Sequence, residues 1–155
     1  MQHEFQITFH LHKAATELAK ARKLDPTAKI EVDINGNKVP LGLDQFAAIL
    51  CNEEASIYYA YARQKIMENP LEDVEFITAK RKYLRERKEE LERRIDIAAG
   101  AIDCALSLFP DNLHYIHTGM RVYKLKSDQH PRYHQLRHQA ESIDPYNTTT
   151  LEIVA

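Results

Sequence analysis

Apolar positions change period several times along this chain. Phe5, Ile7, Phe9 and Leu11 alternate with Gln6, Thr8 and His10, the period-two pattern of a half-buried strand. From Lys13 to Leu24 the spacing becomes Ala14, Ala15, Leu18, Ala19 and Ala21, which predicts a short Ala-rich helix of high propensity. Asp25-Pro26 ends it, because the residue before proline is pushed out of the α region. Residues 29–41 then fold on Asn35-Gly36, the favoured two-residue loop of a type I′ hairpin, in which both positions need positive φ. That register sets Ile34 opposite Asn37, Val32 opposite Val39 and Ile30 opposite Leu41. It also pairs Asp33 with Lys38, opposite charges across the ladder.

Leu43 to Met67 reads as a helix apolar over more than half its circumference. Ala48, Ala55 and Ala62 recur every seven positions, and small residues at heptad spacing let a second helix approach closely. Asn69-Pro70 signals a stop and a restart, with Asn69 as N-cap and Pro70 at the first helical position. A third helix is expected from Pro70 to Phe109, closed by Pro110. Leu84, Leu91, Ala98 and Ala105 recur every seven, with Lys88, Ile95, Ile102 and Phe109 as companions; this is a coiled-coil seam with one polar defect. Residues 80–94 are charged off that seam, whereas 95–109 leave a thin polar line of Asp96, Gly100, Asp103 and Ser107. A helix apolar nearly all round is buried there. Folding back about Asn69-Pro70 lays residues 71–95 along the second helix and sends 96–109 past its start, into a head.

Beyond Pro110, His114 to Lys126 reads as extended, with a turn or bulge near Gly119. Pro131 opens a short helix holding Tyr133, Leu136 and Ala140, and residues 146–155 read as a flexible C-terminal tail. The predicted class is mainly helical α+β. One domain spans 1–145, with a small head containing the β-hairpin, drawn from 1–42 and 96–140. A long antiparallel helical hairpin, a coiled-coil arm, occupies 43–95.

Composition narrows the function classes. The chain has 155 residues, 44% hydrophobic and 28% charged, with a formal charge of −2. A single ordinary domain is expected, and no global basic field points to nucleic acid. Cys51 and Cys104 are too few for a disulfide framework. No leader pattern opens the chain and no stretch approaches ~20 apolar residues, so a soluble, cytoplasmic protein is expected.

Candidate chemistry is sparse. His134 and His138 share a helical face, a spacing at which two imidazoles reach one Zn²⁺, but the residue after His134 is Gln135, not the Glu that a metalloprotease requires. His10-Leu11-His12 and His117-Thr118-Gly119 both miss the His-x-Thr/Ser pattern of a two-histidine phosphoesterase. There is no Gly-rich phosphate loop and no Gly-x-Ser-x-Gly elbow. The run Lys80 to Arg94 carries eight basic and four acidic residues, partly compensated at helical spacing. As a solvated coil face it does nothing more; as a basic stripe, Lys80, Arg81, Arg85 and Lys88 reach phosphates and Tyr83 stacks on a base.

Tyr83-Leu84-Arg85-Glu86-Arg87-Lys88-Glu89-Glu90-Leu91-Glu92-Arg93-Arg94-Ile95, then Ala105-Leu106, then His117-Thr118-Gly119-Met120-Arg121-Val122-Tyr123-Lys124-Leu125-Lys126, resemble the siphovirus gene product 157-like family. The likeness covers residues 55–126. It implies a long helical coil followed by a β segment, in a phage or mobile-element accessory protein found among single-strand annealing and recombination genes. The Asn35-Gly36 hairpin departs from the family, as does the lack of an acidic Pro-Glu-Glu-Tyr-Trp-like segment after the β segment. Three functions are therefore carried forward. The first is a non-enzymatic accessory protein, without cofactor, acting by self-association or by binding another protein. Its interface candidates are Ala48, Ala55, Ala62, Leu84, Leu91, Ala98 and Ala105. The second is a single-stranded DNA-associated recombination factor using 80–94, and the third a His-dependent metalloprotein using His134 and His138.

Overall fold

The computed structural model describes residues 2–67 and 77–155. In chain order they form α1 (Gln2–Leu24), β1 (Lys29–Ile34), β2 (Asn37–Gly42), α2 (Leu43–Met67), α3 (Ile77–Leu108), α4 (Leu113–Lys126), α5 (Pro131–Ile143) and α6 (Thr148–Val154). The class is mainly helical α+β. The hairpin has the register read from sequence, including Val32 opposite Val39 and Asp33 opposite Lys38. Asn35 and Gly36 adopt φ of 52° and 82°, and the Gly36 N–H donates to Asp33 Oδ1 at 2.9 Å.

The expected strand at 5–11 is instead the first half of α1. Extending a nucleated Ala-rich helix adds a backbone bond per residue, whereas a strand needs a ladder partner, and among the described residues β1 and β2 pair only with each other. Leu11, Ala14, Leu18 and Ala21 already have helical three–four spacing; Leu18 is buried and the other three are half-buried. Arg22 fixes the turn into α2 through an ion pair with Asp44 Oδ1 at 2.6 Å.

Helices α2 and α3 are antiparallel. Cys51 lies within hydrogen-bonding reach of Cys104, and ten residues on, the Arg94 guanidinium sits 3.8 Å above the Tyr61 ring. Ala48, Ala55, Ala62, Ala98 and Ala105 are fully buried in this interface, with Leu91 packed at its edge. This register corrects the expected placement of α3. The apolar segment 96–108 lies along α2 rather than overshooting it into a separate head, and the charged segment 77–87 runs past the level of Met67. Apolar surface leaves water against the nearest apolar helix, and α2 supplies it. The Asn69-Pro70 restart lies outside the described residues.

Residues 114–126, expected to be extended, form helix α4. Asn112 caps it, its side chain accepting from the Tyr115 N–H at 3.2 Å. The helix packs against α2, α3, α5 and α6, so Tyr115, Ile116, His117, Thr118, Met120, Val122 and Tyr123 are all buried. The buried His117 and Thr118 interrupt its apolar side, which is why the pattern misled. Gly119 marks a close approach rather than a bulge: a Cβ there would stand 2.7 Å from Leu136 Cδ1 of α5. The thin polar line of α3 serves α4 and α5. Asp96 pairs with Lys126 at 2.5 Å, while Asp103 accepts from Tyr123 Oη and, at 3.3 Å, from Arg132.

The expected flexible tail is also corrected. Asn147 accepts from the N–H groups of Thr149 and Thr150 at 3.0 and 3.2 Å and starts α6. A buried bond of 2.7 Å between His117 Nε2 and Thr150 Oγ1 ties this helix to α4.

Candidate functional site

Residues four and seven apart on a helix share a face, and this places Asn52, Tyr59 and Arg63 together on α2. The facing stripe of α4 carries His114, Thr118, Arg121 and Leu125. The two helices run parallel: Asn52 Nδ2 lies 3.3 Å from His114 Nε2, and further along Tyr59 and Arg63 line one cleft with Arg121, Lys124 and Leu125. Helix α6 closes the third side with Glu152 and Ile153, and Asp128 stands at the rim. The cleft has a volume of about 520 Å³.

Where α2 meets α4 at His114, Asn52 is buried, and its Oδ1 has no hydrogen-bond partner among the described residues. His117 on α4 is also buried. Burial holds His117 below the usual imidazole pKa, and the charges of Arg121 and His114 push it the same way. Lys124 is anchored, its Nζ donating to the Ile153 carbonyl at 2.6 Å. Arg121 is half-buried. Neither Arg63 nor Arg121 makes a side-chain hydrogen bond or ion pair among the described residues. The cleft therefore holds two uncommitted guanidinium groups.

Burial pushes the Cys51 thiol up to about 12, and the bond with Cys104 adds to the effect; a reactive cysteine needs the opposite shift. The Tyr123–Asp103–Arg132 cluster, with the His130 ring 4.8 Å from that of Tyr123, links three helices and holds the Tyr123 hydroxyl well above its ordinary pKa, chiefly by burial. This is a cross-brace in the packing rather than an open site.

The residues singled out from sequence scatter. Arg85 and Lys88 are exposed on α3; the side chains of Lys80, Arg81, Tyr83 and Leu84 lie outside the described residues. Lys82 pairs with Glu86 at 4.0 Å, Lys88 with Glu92 at 3.9 Å and Arg94 with Glu90 at 3.3 Å, so part of the basic run is compensated along its own helix. The alanines of the heptads face one another inside the chain. His134 and His138 are exposed on α5, and no group of three or more His, Cys, Asp or Glu side chains converges among the described residues.

Sequence reasoning missed Arg63, Arg121 and Lys124. Their signal was present as basic residues at helical spacing beside Tyr59 and Asn52, but reading 114–126 as extended put Arg121 and Lys124 on opposite faces. No described helix is long and apolar enough to cross a membrane. The resemblance to the phage family rests on the quoted residues, and the segment that it implies to be β is helical. No family model matches the chain, and no match is found among the curated proteins or the solved structures.

Proposed function

We propose that this chain is a non-enzymatic helical accessory protein, of the phage or mobile-element kind the resemblance implies, that works by assembly. The observation that carries this reading is the exposure of α1. A helix of 23 residues packs closely on α2 alone, and Leu18 is its one buried hydrophobic residue among the described residues. Isolated helices are marginal in water, and most helical stability comes from packing an apolar face. Leu11, Ala14 and Ala21 offer half-covered positions that a second helix would complete. The heptad alanines of α2 and α3 are occupied within the chain, which directs assembly to the half-covered stripe of α1 on either side of Leu18.

The occupant favoured is a second copy of the chain, because that stripe has the three–four spacing of a self-complementary seam. Light scattering of the purified protein, alone and with a single-stranded oligonucleotide at two salt concentrations, tests it. The expected result is a dimer or larger oligomer indifferent to the oligonucleotide, and Leu11→Glu should reduce its mass to that of one chain. A monomer at every concentration would defeat self-assembly. A salt-sensitive complex with the oligonucleotide would instead promote the recombination-factor reading, which the ion pairs along α3 weigh against.

A further inference from the structure

We infer that the cleft between α2, α4 and α6 binds a small organic phosphate monoester, with Arg63 and Arg121 holding the phosphate. This site is independent of the assembly reading, since it lies among helices of one chain and does not use α1.

The inference starts from an inconsistency in how this molecule treats its partly buried cations. Arg94, Lys126 and Arg132 have side chains 26%, 31% and 29% exposed, and each is paired with a carboxylate. Arg121 is also half-buried, yet it makes no ion pair among the described residues. Carboxylates are at hand, because Asp128 and Glu152 line the same cleft. A charge drawn out of water without a partner costs free energy, and its influence is felt nearby, where it disfavours the protonated form of His117. An anion in the cleft removes that cost.

The chemistry of the lining narrows the anion. Guanidinium groups present planar forks of N–H donors that match phosphate oxygens, and Arg63 and Arg121, from separate helices, line this one cleft. Lys124 keeps further N–H donors beyond the one given to Ile153. Tyr59 offers a half-buried ring against which an organic body can lie. Asp128 and Glu152 are acceptors for hydroxyl or amino groups on that body, and they repel a polyanion such as a nucleic-acid strand. The volume of about 520 Å³ falls within the range of small-molecule sites.

The test uses the full chain and isothermal titration with inorganic phosphate, glucose 6-phosphate and adenosine 5′-monophosphate, with glucose and adenosine as controls. At least one ester should bind ten-fold or more tightly than inorganic phosphate, and the controls should not bind. Arg63→Gln and Arg121→Gln should each weaken the ester at least ten-fold while melting unchanged in its absence. Arg63 is exposed, so its variant keeps the test meaningful if Arg121→Gln folds poorly. Ester binding should also raise the His117 pKa, read by imidazole NMR. The proposal is overturned if neither ester binds at millimolar concentration, if inorganic phosphate binds as tightly as the esters, or if binding survives both substitutions. Oligomer mass is unaffected by either substitution, so failure here leaves the assembly reading standing.

Discussion

Residues 95–140 and residues 2–42 are held together by different means. The first region crowds Ile102, Ile116, Met120, Val122 and Leu136 into full burial, with Gly119 admitting α5 against α4. The second contributes Leu18 alone to the buried hydrophobic set among the described residues. Its hairpin rests on turn geometry, and its helix on one apolar stripe against α2 with an exposed Arg22–Asp44 ion pair beside it. Local conformational preference can therefore specify a shape without burying much, whereas close packing specifies both shape and stability. The region fixed by local preference is the one left with surface to offer another chain.

Substitutions that remove apolar volume should separate the two regions most sharply. Leu136→Ala should cost about 2–5 kcal/mol, the usual range for a fully buried leucine. Ile34→Ala in the hairpin, at 48% exposure, should change stability by less than about 0.5 kcal/mol. Urea denaturation of both variants decides this, and equal losses would dissolve the distinction. Gly119→Ala should cost about 1–3 kcal/mol by overpacking against Leu136, outweighing the gain in helix propensity of about 1 kcal/mol. A stabilised variant would mean that Leu136 yields freely.

How much of this was legible in the sequence follows the same division. The hairpin was readable to the residue, because Asn35-Gly36 fixes the turn and the turn fixes every pair beyond it. Helix α2 was readable from its seven-residue alanine recurrence. Helix α4 was not, because polar His117 and Thr118 are buried among its apolar positions and blur the periodicity on which a helix is recognised. Asn112 after Pro110 was the remaining signal, and Asn147 played the same part for α6. The candidate site was lost with α4: Arg121 and Lys124 become neighbours of Arg63 only when 113–126 is helical. Sequence reading went instead to the basic run of α3, where i to i+4 acidic partners answer part of the charge.

Smaller effects sharpen the comparison further. Asn147→Ala should cost about 1 kcal/mol by removing the N-cap, and hydrogen exchange should show α6 opening while α4 stays protected. Because His117 is held below the usual imidazole pKa, the unfolded chain takes up a proton that the folded chain refuses. Stability should therefore be complete above about pH 6.5 and fall as pH drops below it. Thermal melts of His117→Gln should show a shallower acid limb than the parent, and an unchanged limb would remove His117 from the account. Thiol alkylation at pH 8 probes burial and thiolate formation together. Cys104, exposed, should react, while Cys51, half-buried and with its thiol pushed up to about 12, should resist until the chain unfolds.

The recurrence of Ala48, Ala55 and Ala62 also sets a grammar for changes in length. Seven residues make about two helical turns. Deleting seven from α2 together with the seven facing them in α3 returns each surviving side chain of the α2–α3 interface to its own face and its partner across it. Deleting one residue rotates everything beyond it by about 100° and turns alanines out of the interface. Proteins built on this plan can grow or shrink by paired steps of seven, and a shortened chain of that kind should still melt in one cooperative transition.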